Sequence, residues 1–296
     1  MNAATPHLDQ PVPPLANSRS MGDILVDTGR LQAQDLQRIL DAQQVEKMSF
    51  GEAAIALNIL SKADIDFALS KQFDYAYLVD GKSDFSPQLV AALKPFSRVG
   101  ENLRAVRSQL MLRWFNSDAA RKVMTVVSTG QGDGRSFIAA NLAIVFAQQG
   151  QRTLLIDADL RADAERSQQA LFQLDKGVGL SGILAGRATL DVAQAVAALP
   201  GLTVLPAGAQ PPNPQELLGR PAFAQLLQEA SARFDVILID TPSGADYSDG
   251  EIIAARAGAA LMVARRNQSQ VSATKALGER LQDSGVALVG AVLNDA

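Results

Sequence analysis

The chain of 296 residues contains no cysteine and a single histidine, His7. The absence of thiols excludes disulfides, thiolate metal sites and a cysteine nucleophile, and it suits a cytosolic protein. His7 lies among Pro6, Pro11, Pro13 and Pro14. That stretch, residues 1–19, has the composition of a flexible leader, which removes histidine from the folded chemistry. Basic charge is also scarce: 27 Lys and Arg stand against 31 Asp and Glu, a formal net charge of -4. No nucleic-acid partner is therefore expected, because phosphate backbones are held chiefly by lysine and arginine. No run of about 18 apolar residues occurs, and no basic-then-apolar leader opens the chain, so neither a membrane-spanning helix nor a secretory signal is expected. Val286 to Leu293, near the end, reads as a strand and not as an amphipathic membrane helix.

Apolar residues make up 47% of the chain, enough for a sizeable core in roughly two domains of about 150 residues each. The first is an internal repeat over residues 20–78. Gly22, Leu25, Leu31, Leu36, Leu40 and Gln43 recur 29 positions later as Gly51, Ala54, Leu60, Ile65, Leu69 and Gln72. Each copy is expected to form a short helix, a turn and a longer helix, with Leu36, Ile39 and Leu40, or Ile65, Ala68 and Leu69, on one face. The repeat resembles the N-terminal module of type II secretion and type IV pilus assembly ATPases, which in some members binds cyclic di-GMP through paired Arg-Leu-Gly-x-x-Leu-x-x-x-Gly motifs. Ser20 and Ser49 stand at the arginine positions, which favours a helical docking module over a cyclic di-GMP site at 20–78. Residues 79–98, beginning with the polar and turn-rich Gly81 to Ser86, read as a linker.

The remainder, 99–296, is organised around Val123 to Leu142. Val123, Met124, Val126 and Val127 form a short apolar strand, Gly130, Gly132 and Gly134 allow a sharp turn, and a helix begins near Ser136. The unpaired amides and dipole of a helix start favour a polyphosphate. The loop Gly130-Gln131-Gly132-Asp133-Gly134-Arg135-Ser136 departs from the usual Gly-Lys-Ser/Thr ending in carrying Arg135, which keeps the charge but is bulkier than lysine.

Alternating strands and helices follow. Thr153 to Ile156 ends in Asp157-Ala158-Asp159-Leu160-Arg161, and Val236 to Ile239 ends in Asp240-Thr241-Pro242. Carboxylates at strand ends beside a phosphate loop can hold magnesium or position a nucleophile, while the plainer reading has them cap a following helix. The periodicity predicts a doubly wound, mostly parallel α/β sheet of the P-loop NTPase class, preceded by a small all-α helical repeat. Glu101, Arg104 and Arg107, three apart, share one helical face.

The chain from about Glu101 to Asn294 resembles the bacterial tyrosine kinases (BY-kinases) of polysaccharide export, and among them the stand-alone, EpsG-like chain-length determinant type. The likeness rests on Glu101, Arg104 and Arg107, the loop Gly132-Asp133-Gly134-Arg135-Ser136, Leu155 to Arg161, Pro211 to Leu218, and Ile239 to Pro242, in that order. It implies ATP and Mg2+ as cofactors, with Gly130 to Phe137 on the phosphates and Ser136, Asp157 and Asp240 on the metal. It assigns catalytic roles to Asp157, Asp159, Asp240 and Arg135, with Asp157 activating a tyrosine hydroxyl. Glu101, Arg104 and Arg107 would mediate ring-like homo-oligomerisation. The implied partner is a membrane polysaccharide co-polymerase, which would recruit a cytoplasmic protein to the inner membrane for chain-length control and export. Two alternatives are a nucleotide-dependent switch resembling MinD and ParA and a catalytically weakened ATP-binding scaffold. The tyrosine cluster usual at the end of such kinases is absent: only Tyr75, Tyr77 and Tyr247 occur.

Overall fold

The computed structural model describes residues 19–72, 84–244 and 247–295. The expected leader up to residue 18, Tyr75, Tyr77 and the first part of the expected linker lie outside the described residues. Two compact units, residues 1–75 and 76–296, are described separately.

The first unit holds α1 (Met21–Asp27), α2 (Ala33–Glu46), α3 (Phe50–Ala56) and α4 (Lys62–Gln72). Its repeat produces one shared core, in which Leu25, Leu31 and Ile39 from the first copy meet Ala54, Leu60, Ile65 and Ala68 from the second. The paired glycines have a packing cause: a Cβ on Gly22 would lie 2.6 Å from Leu36 Cδ1, and one on Gly51 would lie 3.1 Å from Ile65 Cγ2. Each short helix thus lies close enough to its long partner that a Cβ would make the Leu36 or Ile65 side chain shift. Ser20 and Ser49 cap α1 and α3 through capping boxes with Asp23 and Glu52. The serines at the positions of the arginine motif are therefore committed to starting helices. Arg30 crosses between copies to Asp64 at 2.5 Å and lies over the Phe67 ring, 4.1 Å from its centroid.

The second unit begins with α5 (Val90–Leu93) and α6 (Arg98–Leu110), the latter running into a π turn at Met111–Phe115. Leu89, Ala91 and Ala92 are buried in its main core, and Leu93 is buried beside them in sequence. From residue 84 onward, then, the stretch read as linker packs as part of this unit, because its apolar residues find a face to cover. Next come β1 (Val123–Ser128), α7 (Arg135–Ala147), β2 (Thr153–Asp157), α8 (Gln168–Leu171), α9 (Gly179–Leu184), β3 (Gln194–Ala195) and β4 (Leu202–Leu205). The unit ends with α10 (Pro214–Gly219), α11 (Pro221–Arg233), β5 (Val236–Asp240), α12 (Asp249–Ala257), β6 (Ala259–Arg265), α13 (Val271–Asp283) and β7 (Ala287–Asn294).

The seven strands lie in the order β3-β4-β2-β5-β1-β6-β7, and all neighbours are parallel except β3 against β4. Successive strand residues point to opposite faces, and both faces are covered. Leu155 and Leu238 join Met124 and Val126 in the core beneath α7, whereas Leu154, Ile156, Ile237 and Ile239 pack with Leu218, Phe223 and Ile253 on the other side. With β5 between β1 and β2, the loops leaving all three strands open at one carboxyl edge, where open α/β sheets bind ligands.

From Ile138 to Ala147, α7 is buried on every side, as expected of a helix enclosed between a sheet and other helices. Its one buried amide, Asn141, accepts from Ala91 N–H at 2.8 Å and donates to the Gln88 and Phe137 carbonyls. Asn141→Leu leaves the buried Ala91 N–H unpaired, while the Gln88 carbonyl keeps its bond from the Val90 N–H at 2.9 Å, so a loss of about 1–3 kcal/mol is expected. Thermal or urea unfolding measures it.

Candidate nucleotide site

Between β1 and α7 the backbone reaches positive φ at Gly132 (82°) and Gly134 (98°), conformations that L side chains rarely adopt. Asp133 sits inside the turn and is fully buried. Its Oδ2 accepts from Gly130 N–H at 2.6 Å and its Oδ1 from the Ser269 hydroxyl at 2.7 Å, while Asn294 Nδ2 donates to its carbonyl. Arg265 adds a bond to the Gly132 carbonyl at 3.1 Å. Groups around the ends of β6 and β7 therefore brace the loop from outside. A Cβ on Gly134 would collide with Asn294 Nδ2. Gly134→Ala is expected to cost about 1–3 kcal/mol and to lower nucleotide affinity, as unfolding and binding titrations would show.

Arg135 opens α7 and turns its guanidinium back under the loop. Its Nε donates to the Thr241 carbonyl at 2.8 Å, and its Nη1 to the Ser128 hydroxyl at 2.6 Å and the Gly130 carbonyl at 2.9 Å. One side chain thus ties the loop to the ends of β1 and β5. Gln131, Gly132, Gly134, Arg135, Ser136 and Phe137 all line an open cavity of about 950 Å³, within the size range of small-ligand sites.

Asp157 and Asp240 close adjacent strands and stand opposite each other in the β2–β5 register. They are 1% and 2% exposed. Burial, then the charge of Asp240, holds Asp157 well above the ordinary carboxylate range. Burial also pushes Asp240 up to about 6, against the Arg135 guanidinium, the Gln168 amide and the nearby Ser136 hydroxyl, which lower it. Asp159, two residues on, lines the cavity and is raised chiefly by burial. The structure brings the three acids, Ser136 and Arg135 to one strand edge.

Residues that the motif reading passed over complete the constellation. Gln168 N–H donates to Asp157 Oδ2 at 2.8 Å, and its side-chain Nε2 to Asp240 Oδ2 at 2.8 Å. Asp249, 1% exposed, forms a two-bond pair with Arg161, and the Arg161 guanidinium lies over the Tyr247 ring at 3.9 Å. Neither Gln168 nor Asp249 carries a strand-end signal; both arrive by tertiary packing.

The oligomerisation candidates lie on α6. Arg104 bonds Glu101 at 2.5 Å and the Pro95 carbonyl at 2.7 Å, and Arg107 donates to the Val145 carbonyl at 3.0 Å. Glu101, with 66% of its side chain exposed, is the most open of the three groups.

The donor set suits a magnesium ion brought by a nucleotide. Asp240 Oδ1 is buried without a hydrogen-bond partner, and the two strand-end carboxylates are raised by burial, so a divalent cation would satisfy an orphaned acceptor and stabilise their ionised form. Among the described residues no cluster of three His, Cys, Asp or Glu could hold a metal alone. Ser136 and the phosphates would complete the coordination, as magnesium's preference for few carboxylates and several waters allows. No helix among the described residues is long and apolar enough to cross a membrane.

Comparison with known proteins agrees with this geometry. Residues 124–296 match the CobQ/CobB/MinD/ParA nucleotide binding domain. The putative tyrosine-protein kinase CapB of Staphylococcus aureus is 33% identical over 216 residues, 72% of this chain and 91% of CapB. Tyrosine-protein kinase ptk of Acinetobacter johnsonii is 35% identical over 195 residues, which span 66% of this chain but only 26% of ptk. The kinase domain of the Escherichia coli tyrosine kinase ETK superposes with a TM-score of 0.67 at 31% identity, covering 73% of this chain and 82% of that domain.

Proposed function

The chain belongs to the bacterial tyrosine kinases within the CobQ/CobB/MinD/ParA nucleotide-binding family, and from that premise we propose that it binds Mg2+–ATP and transfers or hydrolyses the γ phosphate. The observation that carries this reading is the meeting of the glycine loop with Asp157 and Asp240, paired on adjacent strands beside Ser136. Gly130 to Phe137 cradle the phosphates. Magnesium, held by Ser136, Asp240 and Asp157, would neutralise charge on the transferring group. Asp157, kept ionised by the metal, is the base that accepts a proton from an attacking hydroxyl. Asp159 faces the cavity and orients that hydroxyl.

The expected setting is chain-length control and export of an exopolysaccharide, with a membrane polysaccharide co-polymerase as activator at the inner membrane and the α6 face carrying Glu101, Arg104 and Arg107 as the homo-oligomer contact. Incubation with Mg2+ and labelled ATP, with and without the co-polymerase's cytoplasmic segment, tests it. Bound nucleotide, free phosphate and phosphotyrosine are followed separately, and absence of all three sinks the proposal.

One observation favours a second reading. The Arg135 guanidinium donates to the Thr241 carbonyl, the Ser128 hydroxyl and the Gly130 carbonyl of the protein itself, as suits a scaffold that binds ATP without turning it over. Wild type that binds but does not hydrolyse, together with sharply raised hydrolysis in Arg135→Lys, would select it.

A further inference from the structure

Gln168 is fully buried at the start of the short α8, and three of its bonds go to the nucleotide site. Its Nε2 donates to Asp240 Oδ2 at 2.8 Å and to the Ser136 carbonyl at 3.1 Å, and its main-chain N–H donates to Asp157 Oδ2 at 2.8 Å. One residue therefore touches both strand-end acids and the first turn of α7. These bonds leave its carbonyl unused: Gln168 Oε1 is buried with no hydrogen-bond partner, and so is Asp240 Oδ1. Buried polar atoms are nearly always paired. Two orphaned acceptors on two residues in direct contact mark a spot rich in acceptors and short of donors. Such a spot suits a hydrated cation, whose waters are donors.

We propose that Gln168 is a positioning residue for the metal: it holds Asp157 and Asp240 in place and offers its carbonyl oxygen to the water shell of the divalent cation that accompanies the nucleotide. The inference rests on the nucleotide reading above. Magnesium retains several waters when it binds through one or two carboxylates, and partners outside the direct ligands commonly change metal affinity by about 10–100-fold. The amide is suited to both tasks at once. Its NH2 end restrains a carboxylate, and its oxygen end accepts from water without adding a third negative charge to a buried pair.

The test uses the full chain with Mn2+ as the probe, read by the electron-spin signal of free Mn2+ during titration with ADP, alongside ADP binding in EDTA. Wild type is expected to bind Mn2+ and ADP together. Gln168→Met keeps the length but removes the side-chain donor and acceptor, and should weaken Mn2+ binding about 10–100-fold while ADP affinity in EDTA stays within about twofold. Gln168→Glu keeps an acceptor but loses the NH2 donor to Asp240 and the Ser136 carbonyl, so its Mn2+ affinity should fall between those of wild type and Gln168→Met, less than about tenfold below wild type. The inference is overturned if Gln168→Met binds Mn2+ like wild type, or if metal and metal-free ADP affinities fall together, as a merely structural role requires. Should Gln168→Met fail to fold, Gln168→Glu decides alone, and a tenfold or greater loss of Mn2+ affinity there overturns it. Wild type that binds no Mn2+–ADP overturns the nucleotide reading as well.

Discussion

Asp240→Asn should abolish magnesium-dependent ATP turnover, by at least about 100-fold, and at the same time make the ligand-free protein more stable at pH 7. The two effects share one cause. Asp240 is a buried carboxylate whose Oδ1 has no partner, opposite a second buried carboxylate, Asp157. In the folded protein it holds its proton up to about 6, against 3.8 for an ordinary aspartate. Between those values the folded state binds one more proton than the unfolded chain, so stability falls as pH rises, by about 1.4 kcal/mol per pH unit and about 3 kcal/mol in all. The amide has no charge to bury and avoids that loss. Melting curves of wild type from pH 4 to 7 should therefore decline more steeply than those of Asp240→Asn. Bound magnesium requires the ionised carboxylates, so the affinity for Mg2+–ATP should rise as pH rises through about 6. Unchanged turnover in the variant would remove Asp240 from the metal site.

Arg135→Met is expected to lower stability by about 2–4 kcal/mol, because buried neutral acceptors lose the charged donor that satisfied them. The guanidinium satisfies the Thr241 carbonyl, the Ser128 hydroxyl and the Gly130 carbonyl. It is also the first of the influences that lower the proton affinity of Asp240. Without it, the Thr241 carbonyl and the Ser128 hydroxyl lose their charged donor, the Gly130 carbonyl keeps only the Ser128 hydroxyl at 3.1 Å, and Asp240 becomes harder to ionise, so Mg2+–ATP affinity should fall more than tenfold below wild type. Arg135→Lys keeps the charge but cannot span three acceptors with one ammonium, so an intermediate stability is expected. Urea unfolding of the three proteins ranks them. Equal stability of Arg135→Met and wild type would show that the three bonds do not brace the loop.

The parallel strands and the glycine loop were legible because they are local signals: short apolar runs ending in Asp157 and Asp240, and glycines where φ turns positive. Register then did what no single motif could, placing those two acids side by side. The repeat was legible too, and its glycines acquired a reason in the close approach of α1 to α2 and of α3 to α4. Other features had no local signature. The two-residue β3 exists only by pairing with β4. Leu89 to Leu93 looked like part of a connection because its burial depends on α7 and on Asn141, fifty residues away in sequence. Gln168 and Asp249 are ordinary polar residues until packing presses them against Asp157, Asp240 and Arg161. Arg135 was visible as a departure from lysine, but its inward bonds to the Ser128 hydroxyl and to the Gly130 and Thr241 carbonyls were not.

Binding of ATP to the purified full chain, measured by calorimetry at pH 7.5 with Mg2+ and again with EDTA, tests the nucleotide site most directly. Saturable binding that is strengthened at least tenfold by Mg2+, and that loses this Mg2+ dependence in Asp240→Asn, is the expected result. Binding that is absent, or equal with and without Mg2+, would contradict it.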